Sequence, residues 1–274
     1  MAAASIPEGK YLNIHAGMTL HYHEAGSGDP VVFLHGSGPG ASGYSNFKGN
    51  FPVFAENGFR AIVPDLPGFG LSSKPEDAAY VLEFFVAAIH GLISKLGIER
   101  CALLGNSLGG AIALRYTLDH PSIVSKLILM APGGLEDLPV YLQMEGIQKM
   151  IQVFTAGPMD MESMRRLLTL QLHDPSLITD ELLAERVSVA ATQPRTVLTT
   201  MRVANMTDQL GEIRCPVLGF WGTNDRFNPA SGAMKIVERC PQARVVLLNR
   251  CGHWVMVEHR DFFNRACLDF LRNG

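Results

Sequence analysis

Hydrophobic positions along the chain fall into short apolar runs separated by stretches with helical spacing. The runs "PVVFLHG", "FRAIVPDLPGFG" and "RCALLGN" lead into glycine turns or loops, which is typical of strands buried on both faces of a parallel sheet. Residues 79–96 carry apolar side chains at helical spacing, and "AIALRYTLDHP" predicts a helix that Pro121 ends. Near the start, "YLNIHAG" and "MTLHYHEAG" predict a β-hairpin.

This alternation of strands and helices predicts an α/β fold with a mostly parallel sheet covered by helices on both faces. It is interrupted over residues 134–205, where "YLQMEGIQKMIQVF", "MESMRRLLTLQL" and "ITDELLAERVSVA" are helical without a convincing strand between them. It resumes at "CPVLGFWGTNDR" and ends in the helix "FFNRACLDFL". We therefore predict a core of residues 1–133 and 206–274, with residues 134–205 inserted as a helical cap over one edge of the sheet.

Composition and charge exclude several classes of protein. The 274 residues are 47% hydrophobic and 18% charged, which is enough to build a large core. A net charge of -3 gives no electrostatic footprint for nucleic acid or an anionic membrane. No apolar stretch approaches the roughly 20 residues of a membrane span, and "MAAASIPEGK" lacks the features of a signal peptide. We expect a cytoplasmic protein with a small-molecule substrate.

The cysteines fit neither a disulfide framework nor a zinc site. Their number is odd and no Cys-x-x-Cys pair is present, so reduced thiols and no bound metal are expected. They are Cys101, Cys215, Cys240, Cys251 and Cys267.

A candidate nucleophile lies in "GNSLGG", at the predicted junction of a strand and a helix. The segment matches Gly-x-Ser-x-Gly, in which glycines permit a sharp turn that exposes Ser107. The helix N-terminus favours developing negative charge at this point. The pattern alone is weak, because a serine in a turn can simply cap a helix. Its position after a buried strand favours a nucleophile elbow.

A serine nucleophile needs a base, which an acid orients. In this architecture the acid follows a late strand and the histidine comes last in the chain. Asp225 follows "VLGFWGTN" and His253 follows "RVVLLNRCG", so Ser107, Asp225 and His253 form the predicted catalytic triad. The oxyanion needs two backbone N–H donors, which we assign to Leu108 and, from the loop "SGPGASG", Ser37.

Three other residues compete weakly for these roles. Asp65 ends a strand but precedes the elbow, and we expect it to organise the turn "PDLPGFG". His35 is expected to be a structural imidazole under the loop after "VVFLHG". His259 is expected to face solvent or to cap the last helix.

The whole chain resembles the meta-cleavage product hydrolases, a group of α/β-hydrolases that cleave a carbon–carbon bond in 2-hydroxy-6-oxo-hexa-2,4-dienoates. The matching segments are "HGSGPGASGYSNF", "GNSLGGAIAL", "LILMAPGGL", "DPSLITDELLAER", "WGTNDRFNP" and "CGHWVMVEH". Gly-x-Ser-x-Gly occurs across the superfamily, whereas the Gly-Pro-Gly loop, the asparagine before the serine and the tryptophan after the histidine are narrower features.

The resemblance implies the triad and oxyanion donors named above, and it adds a substrate-binding set. Polar residues that would hold the dienoate carboxylate and its 2-hydroxy group are Asn46, Asn106 and Arg186, and neighbouring positions are Gly38, Phe227, Cys251 and Trp254. A guanidinium on a cap helix suits a planar carboxylate, although a solvated helix arginine is the alternative. The asparagines could instead stabilise loops, and the tryptophan could belong to the core.

The group that the substrate carries at C6 depends on the pocket wall. Gln171 stands where relatives often carry phenylalanine, which changes the expected pocket wall. Apolar candidates for the wall that meets the C6 substituent are Leu138, Met144, Ile151, Val153 and Phe154. They predict a hydrophobic substituent, which could be aryl, alkyl or steroid-derived. The resemblance also implies a homodimer or a higher homo-oligomer.

The expected reaction is hydrolysis of the C5–C6 bond, without a cofactor because the substrate supplies its own electron sink. A carboxylesterase with the same triad is the main alternative, and a non-enzymatic ligand receptor on this fold is a third. Ser107 excludes dehalogenase and epoxide hydrolase chemistry, which need a carboxylate at the elbow. A haloperoxidase would leave Asn106 and Arg186 together unexplained.

Overall fold

The centre of the molecule is an eight-stranded sheet, seen in a computed structural model that describes residues 8–15 and 17–274. The strands are β1 (Lys10–His15), β2 (Met18–Ala25), β3 (Asp29–Leu34), β4 (Phe59–Pro64), β5 (Cys101–Asn106), β6 (Val124–Met130), β7 (Val217–Gly222) and β8 (Ala243–Leu248). Their order across the sheet is β1-β2-β4-β3-β5-β6-β7-β8. The β1–β2 and β2–β4 pairs are antiparallel and the rest are parallel, which confirms the predicted mostly parallel sheet.

The predicted hairpin forms from β1 and β2, and Ala16 in the sequence between them lies outside the described residues. Most of the N-terminal segment on which the signal-peptide argument rests also lies outside them. No helix in the described ranges is long and apolar enough to cross a membrane.

Both faces of the sheet are covered, which explains the continuous apolar runs in the sequence. In β3, Val31 and Phe33 point into one core layer, whereas Val32 and Leu34 point into the other. All four side chains are fully buried. An alternating strand would have left one face in water, so the run "PVVFLHG" is the pattern of a central strand.

The helices pack in two layers around the sheet. They are α1 (Gly43–Phe47), α2 (Phe51–Glu56), α3 (Leu82–Lys95), α4 (Leu108–Asp119), α5 (Leu138–Tyr141), α6 (Glu145–Ala156), α7 (Met161–Gln171), α8 (Asp180–Ala190), α9 (Thr196–Thr200), α10 (Ser231–Arg239), α11 (Val255–Glu258) and α12 (Arg260–Asn273). One core layer contains residues of α3, α4 and α10, and the other contains residues of α2 and α12. Short 3₁₀ helices span Pro175–Leu177 and Thr207–Glu212.

Helices α5–α9 all lie between β6 and β7. The amide of Met206 donates to the carbonyl oxygen of Gly134 at 2.7 Å, so this segment begins and ends at neighbouring points. Near its end, an isolated β-bridge joins Arg202 to Val81. Helices α7 and α8 contribute buried residues to the same core layer as α2 and α12. We propose that residues 134–205 act as the predicted cap, with α7 and α8 as its well-packed half.

Candidate active site

Ser107 occupies a sharp turn between β5 and α4. Its backbone has φ 55° and ψ −115°, a conformation that L-residues rarely adopt. Helix α4 begins at the next residue and passes so close to β3 that a Cβ at Gly109 would overlap the carbonyl oxygen of Leu34. Glycine is therefore required at that position, and the turn leaves Ser107 beside a cavity at the carboxyl ends of the strands.

The predicted acid and base lie together at the same edge of the sheet. His253 Nδ1 is 2.7 Å from Asp225 Oδ2, and both side chains are almost fully buried. Asp225 Oδ1 accepts hydrogen bonds from the amides of Phe227 at 2.7 Å and Asn228 at 3.0 Å. These bonds fix the carboxylate, which in turn fixes the orientation of the imidazole.

Ser107 and His253 line one cavity, together with other predicted site residues. The lining residues are Gly36, Ser37, Gly38, Ala41, Asn46, Asn106, Ser107, Ile147, Met150, Gln171, Arg186, Phe227, His253 and Trp254. Within the described chain, no hydrogen bond joins the Ser107 hydroxyl to His253. In ligand-free enzymes this contact is commonly long and tightens when substrate binds.

Two free amides are available for an oxyanion. Ser37 lies on the cavity wall, and Leu108 is the first residue of α4. Among the described residues, neither backbone N–H has a hydrogen-bond acceptor. Because the first amides of a helix lack intrahelical partners, the Leu108 N–H is open to developing negative charge.

Arg186 brings a buried cation to the cavity from α8. The residue is 2% exposed, and its Nη1 donates to Asn46 Oδ1 at 3.3 Å and to Ser45 Oγ at 3.4 Å. Nη2 donates to the carbonyl oxygen of Pro39 at 3.1 Å, and the guanidinium lies 5.1 Å from the Trp254 ring centroid. Burial lowers the pKa of Arg186 to about 10, which leaves it protonated at neutral pH. The alternative of a solvated arginine does not hold.

Three cavity residues carry a buried polar atom without a partner among the described residues: Arg186 Nε, Asn106 Oδ1 and Gln171 Oε1. Burying an unpaired polar group costs roughly 1–3 kcal/mol, so such atoms are rare in a folded protein unless a ligand or water satisfies them. The three residues line one cavity and together offer one donor and two acceptors, a set that suits a ligand with both an anionic group and a hydroxyl.

Comparison with known proteins shows which proteins this chain resembles. A family model for the alpha/beta hydrolase fold matches residues 29–260. A 2-hydroxy-6-oxo-6-phenylhexa-2,4-dienoate hydrolase of Burkholderia cepacia is 40% identical, over 93% of this chain and 92% of its own. A 2-hydroxy-6-oxononadienedioate/2-hydroxy-6-oxononatrienedioate hydrolase of Comamonas testosteroni is 39% identical over the same shares of the two chains.

Among solved structures, a meta-cleavage product hydrolase of Pseudomonas fluorescens superposes with a TM-score of 0.85 at 30% identity, covering 96% of this chain and 97% of its own. A 2-hydroxy-6-oxo-6-phenylhexa-2,4-dienoate hydrolase of a Rhodococcus species gives 0.86 at 29% identity, with 97% and 98% covered. The chain belongs to the meta-cleavage product hydrolase family of α/β-hydrolases.

In this meta-cleavage product hydrolase, the apolar wall of the cavity differs from the one predicted. Ile147 and Met150 of α6 line it, whereas none of the five predicted residues does: Leu138, Met144, Ile151, Val153 and Phe154. Helical spacing alone does not separate these positions, because Ile151 lies one turn after Ile147 on nearly the same side of α6. Ile151 is nevertheless 45% exposed, so the packing of α6 brings Ile147 and Met150 to the cavity and leaves Ile151 in solvent.

Cys251 is predicted to lie beside the polar subsite, and it is not among the residues that line the cavity. Its side chain is fully buried, and its Sγ lies 3.6 Å from the carbonyl oxygen of Gly252. Burial, together with the nearby Glu258 carboxylate, holds the pKa of the thiol well above its ordinary value. Cys251 therefore remains a neutral thiol behind the histidine loop.

Asp65 has the structural role predicted for it. Its carboxylate accepts hydrogen bonds from the amide of Leu71 at 2.8 Å and the amide of Gly43 at 2.7 Å, and it lies 2.8 Å from His21 Nδ1. It therefore joins the turn that follows β4 to α1 and to the hairpin. Although burial opposes ionisation, these partners hold the pKa of Asp65 below its usual value.

Of the two competing histidines, His35 has the structural role predicted for it. His35 Nδ1 lies 2.7 Å from the carbonyl oxygen of Gly36, and its Nε2 accepts from the amide of Leu66 at 3.0 Å. This pairing requires the proton on Nδ1, so the imidazole is neutral and both of its ring nitrogens are hydrogen-bonded. His259 is the N-cap residue of α12, without a capping hydrogen bond from its side chain.

Proposed function

We propose that the protein is a serine-dependent hydrolase that cleaves the C5–C6 bond of a 2-hydroxy-6-oxo-hexa-2,4-dienoate. The products are 2-hydroxypenta-2,4-dienoate and a carboxylic acid. One observation carries the proposal: the buried Arg186 guanidinium lies in the same cavity as Ser107 and His253. An ester hydrolase has no need of a buried cation there, whereas a dienoate has a carboxylate for it.

The polar end of the cavity supports this substrate class. A guanidinium binds a planar carboxylate through parallel N–H donors, and Arg186 retains an unpaired Nε. The unpaired Asn106 Oδ1 can accept from the enol hydroxyl at C2. Asn46 holds the guanidinium through its Oδ1, so its contribution includes fixing the arginine.

In the proposed first step, His253 assists transfer of a proton from the C2 enol to C5. This produces a ketone at C2 and a CH₂ group at C5. The C2 ketone, conjugated through C3=C4, is the electron sink for the later cleavage. No cofactor is required in this scheme, since the sink belongs to the substrate.

In the second step, His253 takes the proton of Ser107 and the serine oxygen adds to the C6 ketone. The amides of Ser37 and Leu108 would stabilise the resulting oxyanion. When this intermediate collapses, the C5–C6 bond breaks and its electron pair moves through C3=C4 to the C2 oxygen. The dienolate leaves as 2-hydroxypenta-2,4-dienoate after protonation.

The third step releases the acyl group from Ser107. With His253 as base, water attacks the ester carbonyl, and the same two amides hold the second oxyanion. Asp225 stabilises the imidazolium in both halves of the reaction, because its carboxylate is hydrogen-bonded to Nδ1.

The C6 substituent meets the wall formed by Ile147, Met150 and Phe227. These side chains favour an apolar group such as phenyl or alkyl over a second carboxylate. Methionine is flexible, so this wall can adapt to more than one shape.

We also propose that the enzyme works in the cytoplasm as a homo-oligomer, without a nucleic-acid or membrane partner. Five unpaired cysteines among the described residues are consistent with a reducing compartment. Light scattering at micromolar protein measures the assembly state, and a mass equal to one chain would contradict the oligomer.

The function is tested by mixing the purified protein with the yellow 6-phenyl and 6-methyl dienoates and following the loss of colour. We expect rapid bleaching, with 2-hydroxypenta-2,4-dienoate and the matching acid as products. Ser107→Ala should abolish turnover while its thermal unfolding stays close to that of the wild type.

A parallel assay with p-nitrophenyl acetate separates the main alternative. Fast ester hydrolysis with persistent yellow colour would overturn the proposal and favour a carboxylesterase. Binding of the dienoate without turnover by the wild-type protein would instead favour a receptor.

A further inference from the structure

Glu258 accepts three backbone hydrogen bonds at a junction between the cap segment and the core. Its Oε1 accepts from the amides of His173 at 2.6 Å and Asp174 at 3.0 Å, and its Oε2 accepts from the amide of Gly252 at 2.6 Å. Hydrogen bonds to an ionised carboxylate are shorter and stronger than neutral ones. The two oxygens thus bind two different parts of the chain.

These two parts both belong to the active site. Gly252 directly precedes His253, the proposed base, whereas His173 and Asp174 follow the end of α7. The last residue of α7 is Gln171, whose side chain lines the cavity. Glu258 therefore connects the backbone of the histidine loop to the cap helix that forms the facing wall.

A second set of contacts lies alongside. The amide of His253 donates to the carbonyl oxygen of Gln171 at 2.7 Å. A Cβ at Gly252 would lie 2.5 Å from that same oxygen, so only glycine lets the two backbones approach this closely. The hydrogen bond of the His253 amide and those of Glu258 therefore join the same two short segments, residues 171–174 and residues 252–258.

We propose that Glu258 is a positioning residue, which holds the His253 loop in register with the substrate-binding half of the cap. Helix α7 packs on α8, so the same connection fixes the Arg186 guanidinium relative to the imidazole. The proposal rests on the proposed role of His253 as the base, and it does not depend on which substrate the enzyme cleaves.

The experiment compares Glu258→Ala and Glu258→Gln with the wild type and with Glu162→Ala as the control. Glu162 is an exposed glutamate of α7 that pairs with Arg166 and does not line the cavity. Three properties are measured: the labelling rate of Ser107 by a small alkyl fluorophosphonate, the steady-state kinetics (kcat and KM) for the phenyl dienoate, and the unfolding temperature. Labelling needs an activated serine but no carboxylate-binding residue.

For Glu258→Ala we expect labelling and kcat to fall roughly 10- to 100-fold, because a displaced base loses its alignment with the serine. KM for the dienoate should rise as well, since Arg186 loses its register with the site. Glu258→Gln keeps one carbonyl oxygen and can satisfy only one side of the junction, so it should recover part of the loss. Glu162→Ala should match the wild type in all three properties.

A purely structural role would lower the unfolding temperature while leaving labelling and kcat unchanged below it, and that result would overturn the proposal. If Glu258→Ala does not fold, the decision rests on Glu258→Gln: slower labelling of the folded protein supports positioning, and the wild-type rate overturns it. If the wild type does not cleave dienoates, the labelling rates still test Glu258, so the two failures are distinguishable.

Discussion

The side chain of Asn106 donates a hydrogen bond to the backbone oxygen of His253 at 3.4 Å. The residue before the proposed nucleophile is thus in contact with the proposed base. The same amide nitrogen also approaches the carbonyl oxygen of Met130 at 3.4 Å. Asn106 lies on the cavity wall, and its Oδ1 has no hydrogen-bond partner among the described residues.

Replacing Asn106 by leucine tests whether this oxygen serves the substrate. We expect kcat/KM for the dienoate to fall roughly 10- to 100-fold, because a hydrogen bond to the substrate is lost. Unfolding temperature should stay near the wild-type value, since the change also removes an unpaired buried acceptor. Equal loss of fluorophosphonate labelling would show instead that Asn106 acts through His253.

Replacing Arg186 by methionine should separate stability from activity. Among the described residues, the buried guanidinium has no carboxylate partner, so removing it should leave the unfolding temperature unchanged or higher. Activity on the dienoate should fall by at least about 100-fold, with an increase in KM, because the substrate carboxylate would lose the guanidinium that we propose binds it. Hydrolysis of p-nitrophenyl acetate is the control and should change little. Equal losses on both substrates would contradict the carboxylate role.

Replacing Gln171 by leucine probes a polar part of the cavity wall. Removing an unpaired buried oxygen should stabilise the protein by roughly 1–3 kcal/mol. We expect a higher unfolding temperature together with a higher KM for the dienoate. The exposed Gln152 offers a matched control in Gln152→Leu. A stabilised variant with unchanged KM would mean that the amide does not contact the substrate.

Acid stability should depend on His35. Burial lowers its pKa from 6.5 to about 4, so the unfolded chain binds the proton more readily than the folded one between these pH values. The contribution of His35 to the free energy of unfolding is therefore complete above pH 6.5. It is lost as the pH falls from 6.5 towards 4, by ~3 kcal/mol in all. Urea unfolding at pH 7 and pH 4.5 measures the loss, and His35→Gln should reduce it. An identical pH dependence in the variant would assign the effect to other groups.

Much of the fold could be predicted from the sequence because parallel strands have a local signature. Short apolar runs such as those in Asp29–Leu34 and Cys101–Asn106, each followed by a glycine-containing turn or loop, favour strands in the middle of a sheet. Chain order then brings Asp225 and His253 to the same edge, since each follows the carboxyl end of a neighbouring strand.

The cap and its contacts could not be derived in the same way. Which residues of α6 meet the cavity depends on how the helix packs, so the sequence predicts Ile151 on the wall where the structure has Ile147. Glu258 carries no motif that points to its role, because its partners are backbone amides of a distant segment. Neither the types of these residues nor their spacing in the sequence indicates such contacts.

The strained backbone of Ser107 has a further consequence for how far this protein can be stabilised. A non-glycine residue at φ 55° and ψ −115° costs of the order of 1–3 kcal/mol, and the surrounding strand and helix compensate for it. Ser107→Gly should therefore be inactive yet unfold at a higher temperature. A lower unfolding temperature would show that the serine is not strained. A higher unfolding temperature for the variant would mean that the protein is less stable than its fold allows, and that part of the deficit lies at the proposed nucleophile, which selection for activity would retain.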